Sequence, residues 1–138
     1  MCIDAYKRGV LFVNIYESAE DYLERILMIR QRKGVVYSID IAHELNFSKP
    51  SVSVAMKRLR ENGYIQMDAD NAITLLPPGE EIAQRIYGRH RLLTEFLTQL
   101  GVSPENAAAD ACKIEHDISE ESYERIRELT LQKRGNQG

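Results

Sequence analysis

The sequence predicts a mainly α-helical fold with one small β-hairpin. Apolar residues recur at helical spacing through most of the chain, and serine, proline and glycine stand where helices begin or end. Two short runs of strand-forming residues lie near the middle of the chain. Of the 138 residues, 43% are hydrophobic and 28% are charged, which excludes a disordered chain. No apolar run approaches the roughly 20 residues of a membrane-spanning helix, so we predict a soluble, cytoplasmic protein without a membrane partner.

The first predicted helix begins at Ser18, because residues 18–21 have the form of a capping box. It ends at Lys33, which Gly34 follows. Residues 1–15 show no clear period and are treated as an unassigned N-terminal extension. The apolar positions of this helix are Tyr22, Leu23, Ile26, Leu27 and Ile29.

Two shorter helices are predicted next, separated by a tight turn at Phe47. The first has Ser38 as its cap and Asn46 as a left-handed residue at its end. Ser48 can cap the second, which stops at residues 62–63. The predicted inward-facing residues are Ile39, Ala42 and Leu45 in the first, and Val52, Ala55, Met56 and Leu59 in the second.

A hairpin and three helices complete the prediction. Residues 64–67 and 72–75 read as two short strands joined by a turn. Residues 77–79, Pro-Pro-Gly, are expected to break the chain before a long amphipathic helix from about residue 80 to residue 100. Ser103 and Ser119 can cap the last two helices. Apolar positions assigned to these helices are Ile82, Ile86, Leu93, Phe96, Leu97, Tyr123, Ile126 and Leu129.

The order of the first elements is that of a winged helix-turn-helix: a supporting helix, two short helices joined by a tight turn, and a hairpin. The charge pattern agrees with this interpretation. The whole chain has a formal net charge of -3, but residues 25–67 contain eight basic residues and three acidic ones. A local excess of positive charge can neutralise DNA phosphates, so we predict binding to double-stranded DNA.

The outer face of the third helix carries the candidate DNA-binding residues. Serine hydroxyls can hydrogen-bond phosphates or base edges, Val54 can contact a thymine methyl group, and Lys57 can reach phosphate or guanine. A solvated basic face on a protein-interaction winged helix remains the alternative. The candidates are Ser48, Lys49, Pro50, Ser51, Ser53, Val54, Lys57 and Arg58.

Six residues of the types that bind metals occur in three separate segments. Cys112, Glu115 and His116 share one face of a helix because they are spaced i, i+3 and i+4. Carboxylate, imidazole and thiolate together suit a first-row divalent metal rather than a structural zinc finger. Taken singly, each residue also fits a purely structural role. The candidate ligands are Asp21, Glu24, His90, Cys112, Glu115 and His116.

The same residues also bear on two other functional classes. An enzyme is disfavoured, because six protein ligands leave little room for substrate and no nucleophile with a paired base is evident. A metal-independent regulator of the same fold that responds to a small organic ligand stays open.

With these motifs in order, the sequence resembles the metal-dependent repressors of the diphtheria-toxin-repressor and manganese-transport-regulator (DtxR/MntR) family, in its short form without an SH3-like domain. The resemblance spans about residues 16–131. Its most specific part is the succession Asp-x-x-Glu, Arg-His and Cys-x-x-Glu-His. The stretches that carry it are residues 20–26, 40–42, 51–53, 89–93 and 112–119.

This resemblance implies a winged-helix DNA-binding domain at residues 16–78 and a helical metal-binding and dimerisation domain at residues 79–138. It implies a homodimeric repressor that binds operator DNA when Mn(II) or Fe(II) is bound, with up to two ions per subunit at the six residues above. Asp21 matches the manganese branch of the family, whereas Cys112 matches the iron branch. The iron branch's ancillary site is not expected, because Thr94 and Ala108 replace its ligands.

Overall fold

The computed structural model describes the backbone of residues 11–137 and the side chains of residues 19–135. It confirms the predicted fold class: the elements are helical apart from one two-stranded antiparallel sheet. The elements in chain order are α1 Leu11–Lys33, α2 Ser38–Leu45, α3 Lys49–Glu61, β1 Ile65–Met67, β2 Ile73–Leu75, α4 Pro77–Gln99, α5 Pro104–Asp117 and α6 Glu120–Gln137.

The chain forms two compact units that divide within α4, between residues 85 and 86. Of the described residues, those up to residue 85 form one unit, which holds α1 to α3, the hairpin and the first part of α4. Those from residue 86 form the other, which holds the rest of α4 with α5 and α6. We call them the winged-helix unit and the helical unit. The domain limits implied by the resemblance, 16–78 and 79–138, stay a prediction. In the part of the chain described, none of the helices is long and apolar enough to cross a membrane.

Helix α1 is longer than predicted. Its described part begins at Leu11, so Ser18 lies inside the helix and the predicted start there is wrong. A serine caps a helix only where its own backbone is extended, and no glycine or proline between residues 11 and 18 interrupts the helix. Residues 11–15 of the predicted extension are therefore helical, while residues 1–10 lie outside the described residues. The five predicted apolar positions are buried as expected.

The helix-turn-helix follows the sequence closely, with two corrections in α2. Tyr37, not Ser38, precedes the helix as its cap residue, and its backbone N–H donates to the Asp40 carboxylate at 2.9 Å. Ile39 is 37% exposed, whereas Ile41 is fully buried. Residues 41, 42 and 45 share one face of this short helix, and residue 39 lies nearly opposite residue 41. Asn46 has the predicted left-handed conformation, with φ 56°.

Helix α3 begins as predicted. The Ser48 side chain accepts a hydrogen bond from the Ser51 N–H at 3.3 Å, and Pro50 lies in the first turn, where a missing N–H costs nothing. Val52, Met56 and Leu59 are buried as predicted, but Ala55 is only partly buried. The buried side of the helix is therefore a narrow stripe, and its remaining surface faces solvent.

The hairpin forms the wing. Ile65 pairs with Leu75 and Met67 pairs with Ile73, and an isolated bridge joins Val36 to Ile73. The loop at its tip is organised by Asp68, whose carboxylate accepts from the N–H groups of Asp70 and Ala72 at 2.9 and 3.0 Å. The tip is thus acidic and exposed.

Helix α4 begins at Pro77, so the prediction of a break at residues 77–79 and a start near residue 80 is wrong by one turn. Proline is tolerated in a first turn because that N–H has no helical partner. In the helical unit, Ser103 and Ser119 serve as the predicted caps, accepting from Asn106 and Ser122 at 3.4 and 3.1 Å.

The apolar positions of the helical unit are less uniformly buried than the sequence implied. Leu93 is buried, but Leu129, which was assigned to the apolar face of α6, is 45% exposed. Charges contribute to the packing here: Arg134 of α6 donates from Nε to the Glu95 carboxylate of α4 at 2.9 Å. That contact lowers the pKa of Glu95.

An ion pair between α1 and α4 gives the winged-helix unit a predictable acid response. Two nitrogens of Arg30 donate to the two carboxylate oxygens of Glu80 at 2.6 and 2.9 Å. These bonds hold the pKa of Glu80 below its ordinary value of 4.5, although partial burial acts in the opposite direction. A carboxyl whose pKa is lowered by folding stabilises the fold above its ordinary pKa, and this contribution is lost as pH falls through the lowered value.

We therefore expect the free energy of unfolding to fall as pH drops below about 4.5, and we expect Glu80→Gln to remove part of that dependence. Urea denaturation of both proteins between pH 3 and pH 7, to be followed by circular dichroism, measures this. Glu81→Gln, which removes the charge of the exposed neighbour, is the matched control. Equal pH dependence in all three proteins would contradict the role of the pair.

Candidate metal centre and DNA-binding face

Glu115 is the centre of a buried polar cluster in the helical unit. It lies in the last turn of α5 and is fully buried. One carboxylate oxygen, Oε2, lies 3.0 Å from Nδ1 of His90 on α4. The other, Oε1, lies 3.4 Å from Nε2 of His116, the next residue on α5. One carboxylate thus faces two imidazole rings that come from two helices.

This arrangement has the chemistry of a divalent-metal site. A buried carboxylate is costly unless cations or hydrogen-bond donors face it. Carboxylate oxygens and imidazole nitrogens are also ligands that first-row divalent metals accept. The His116 side chain is only 2% exposed and that of His90 is 19% exposed, so the cluster is largely shielded from water. The donor set therefore fits such an ion.

Cys112 lies on the same helix as Glu115, one turn earlier, and is buried. Burial of Cys112 and Glu115 on one side of α5 follows from their spacing, because residues three apart lie on the same helical face. The structure therefore places Cys112, Glu115 and His116 within one short segment of α5, as their spacing predicted.

The remaining predicted ligands, Asp21 and Glu24, lie on α1 in the winged-helix unit, one turn apart. The sequence left open that Glu24 is a surface charge, but it is only 4% exposed. It also left open that Asp21 serves a capping box, but the helix does not start there. Glutamate is almost never fully buried without a partner. The structure thus removes the simplest structural explanation for each residue.

Arg89 has no role assigned from the sequence, where it enters only as the arginine of the Arg-His motif. It is 7% exposed and donates to the backbone carbonyl of Glu115 at 3.1 Å. An arginine in an amphipathic helix is normally expected at the protein surface. The only available signal was its place directly before the histidine.

All eight predicted DNA-binding residues are exposed. Two of them also stabilise the start of α3, since the Ser48 hydroxyl donates to the Ser51 hydroxyl at 2.8 Å. Val54 is 53% exposed on the middle of the helix, and Lys57 lies 4.0 Å from Glu61 one turn later. The outer face of α3 is thus an accessible surface of hydroxyl, apolar and basic groups.

Acidic side chains form ion pairs with several of the basic residues in residues 25–67 and so neutralise part of the positive charge of this region. Arg25 and Arg32 both contact Glu44, and Lys33 contacts Asp40 at 2.5 Å. Arg30 is occupied by Glu80, as described above. Three of the eight basic residues in residues 25–67 have no acidic partner within 4.0 Å among the described residues, and all three lie on α3. They are Lys49, Arg58 and Arg60.

Comparison with known families finds a match in each half of the chain. Residues 14–73 match the iron dependent repressor N-terminal DNA binding domain. Residues 77–132 match the iron dependent repressor metal binding and dimerisation domain.

Curated relatives resemble the chain over most of its length. It is 38% identical over 116 residues to the transcriptional regulator MntR of Salmonella typhimurium. This match covers 84% of this chain and 74% of that protein. It is 36% identical over 112 residues to the HTH-type transcriptional regulator MntR of Lysinibacillus sphaericus, which covers 81% of each.

Solved structures of the same fold include a manganese-dependent transcriptional repressor in complex with manganese, with a TM-score of 0.74 and 28% identity over 81% of this chain. Another is T. acidophilum IdeR, with a TM-score of 0.73 and 29% identity over 80% of this chain. The chain spans about half the length of these two structures, 52% in both cases.

Proposed function

The chain belongs to the iron-dependent repressor (DtxR/MntR) family of metal-dependent transcriptional regulators, and on this basis we propose that Mn(II) or Fe(II) activates it, as a homodimer, for binding to operator DNA. Its relatives are regulators, and the chain is not an enzyme. The observation that carries the proposal is the buried Glu115 carboxylate facing the rings of His90 and His116. As a regulator of transcription it would act in the cytoplasm.

The proposed ligand set comprises the three residues of the cluster, the buried cysteine one turn before it, and the two acidic residues of α1. Glu115 is the best placed to bridge two ions, because its two oxygens face different imidazoles. The bound ion supplies positive charge that several carboxylates can share. The set is Asp21, Glu24, His90, Cys112, Glu115 and His116.

In this proposal, Asp21 and Glu24 tie the winged helix to the helical domain through the shared ion. The angle between the recognition helix α3 and the dimer contact would then be fixed. In a two-fold dimer that angle sets the separation of the two recognition helices, and DNA half-sites require about 34 to 36 Å or a multiple of it. Metal and DNA then strengthen each other's binding by the same factor.

Fluorescence anisotropy tests the proposal, with a labelled duplex obtained by in vitro selection against the Mn(II)-loaded protein. We expect Mn(II) or anaerobic Fe(II) to tighten binding to this duplex, and we expect the affinity to fall steeply with salt. The metal that increases the DNA affinity more, Mn(II) or Fe(II), is the activating metal. DNA affinity that neither metal changes would contradict the proposal and favour a regulator that responds to an organic ligand.

A second prediction concerns phosphate contacts by the proposed recognition helix α3. Arg58→Ala should weaken binding to all duplex sequences similarly and reduce the slope of log K against log salt by about 1, because one phosphate contact is lost. The matched control is Arg125→Ala, which removes the same charge from an exposed position on α6. A salt slope that Arg58→Ala leaves unchanged would exclude a phosphate contact by Arg58.

A further inference from the structure

Arg89 of α4 is almost completely buried and contacts the end of α5 and the start of α6. Its Nη1 donates to the backbone carbonyls of Glu115 at 3.1 Å and Ile118 at 3.3 Å. Its Nη2 donates to the Glu120 carboxylate, and its guanidinium carbon lies 5.0 Å from the centre of the Tyr123 ring. Hydrogen bonds, an ion pair and ring stacking therefore hold this side chain in place.

Of the two carbonyls that Arg89 binds, that of Glu115 lies in the last turn of α5 and that of Ile118 directly follows the helix. The helix ends at Asp117, and the carbonyls of a last turn have no N–H partner within the helix. A cation is also favoured there by the negative end of the helix dipole. The planar guanidinium presents several donors in fixed directions, so one arginine can serve two carbonyls and a carboxylate together.

Arg89 and His90 are consecutive residues, and both contact Glu115. His90 meets the carboxylate of Glu115 at 3.0 Å, and Arg89 meets its backbone carbonyl at 3.1 Å. Glu115 is therefore held at two points against α4. The backbone contact limits how far the end of α5 can slide or rotate relative to His90.

We propose that Arg89 is a positioning residue for the metal centre: by anchoring the end of α5 it holds the carboxylate of Glu115 and the ring of His116 in register with His90. This inference rests on the proposed function, because it concerns the geometry of the proposed ligands. Arg89 itself carries a fixed positive charge and does not bind the cation. Its effect on metal binding comes from where it places Glu115 and His116.

The test compares Arg89→Lys with Arg91→Lys in the full chain. Lysine keeps the charge but is a compact point donor that cannot reproduce the fork of bonds. Arg91 is the matched control because it lies two residues further along α4, is exposed, and has its guanidinium carbon 5.7 Å from the Tyr87 ring. The measurements are Mn(II) affinity by calorimetry, the visible spectrum of the Co(II)-loaded protein, and amide exchange of residues 115–118 without metal.

We expect Arg89→Lys to bind Mn(II) about 10- to 100-fold more weakly, as is typical when a residue that orients metal ligands is lost. Its Co(II) spectrum should change, and the amide of Ile118, which bonds to the Ile114 carbonyl, should exchange faster without metal. Arg91→Lys should match the wild type in all three measurements. A wild-type Mn(II) affinity and Co(II) spectrum in Arg89→Lys would overturn the proposal, even if the variant were less stable.

Glu120→Gln provides a second variant in case Arg89→Lys does not fold. The Glu120 side chain is 68% exposed, so the change should leave the fold intact while it weakens the anchor of Arg89. Mn(II) affinity should fall in the same direction but by less, and an unchanged affinity would count against the proposal. A wild-type protein that binds neither Mn(II) nor anaerobic Fe(II) would overturn the proposed function itself, which is a different outcome from equal binding by wild type and variants.

Discussion

Replacing Glu115 with glutamine should lower the affinity for Mn(II) by more than about 100-fold, which is the upper end of the loss for residues that only orient ligands. Glu115 is itself the proposed shared ligand, with one oxygen facing His90 and the other facing His116. Glutamine keeps the volume but replaces the charged carboxylate with a neutral amide, which has one acceptor oxygen and two N–H donors. The metal dependence of DNA binding should disappear with it.

The metal-free Glu115→Gln protein should remain folded. The substitution removes a buried negative charge and keeps the volume of the side chain, whereas removing one of the facing imidazoles would leave the buried carboxylate with one facing group fewer. In a thermal melt, Mn(II) should raise the melting temperature of the wild type, since a ligand that binds only the folded state stabilises it. It should not raise that of the variant.

Glu105→Gln is the matched control for this experiment, because Glu105 is an exposed residue in the first turn of the same helix. Its Mn(II) affinity and its metal-induced thermal shift should equal those of the wild type. A Glu115→Gln protein that still binds Mn(II) with wild-type affinity would exclude Glu115 as a ligand, and with it the bridging role proposed above.

The elements that the sequence predicted well are those in which local signals and packing agree. In α3, Ser48 as cap, Pro50 in the first turn and the burial of Val52 and Met56 all favour the same helix. At Ser18 the local signal was overridden, because a capping sequence cannot start a helix whose preceding residues are already helical. Ile39 shows the same limit in a helix of one or two turns, where hydrophobicity alone does not decide which face is buried.

The site could be predicted only in part. Spacing places Glu115 and His116 on one helical segment, but their contact with His90 depends on how α4 packs against α5, and 25 positions separate His90 from Glu115. The family resemblance supplied the idea that these residues belong together. The resemblance includes Arg89 in its Arg-His motif but assigns no role to it, because Arg89 binds backbone carbonyls, whose geometry a sequence does not display.

Gly79→Ala should lower the free energy of unfolding by about 2 kcal/mol, a typical cost of overpacking. A Cβ atom at this position would overlap the backbone carbonyl of Tyr64, which leads into the wing. That carbonyl cannot easily move, because it accepts the Leu76 N–H at 2.9 Å and the Tyr64 N–H is bonded to the Leu59 carbonyl at 3.0 Å. Urea denaturation followed by circular dichroism measures the change.

Gly88→Ala separates this contact from the general effect of alanine in a helix. Gly88 lies further along α4, and a Cβ atom there would meet nothing within 4 Å. Neither glycine has a positive φ, so alanine is compatible with the backbone at both. Gly88→Ala should therefore stabilise the protein by roughly 0.5 to 1 kcal/mol, the usual gain in a helix interior. If both variants were stabilised equally, the helix would not depend on close approach to Tyr64, and the packing of α4 against the wing would need another explanation.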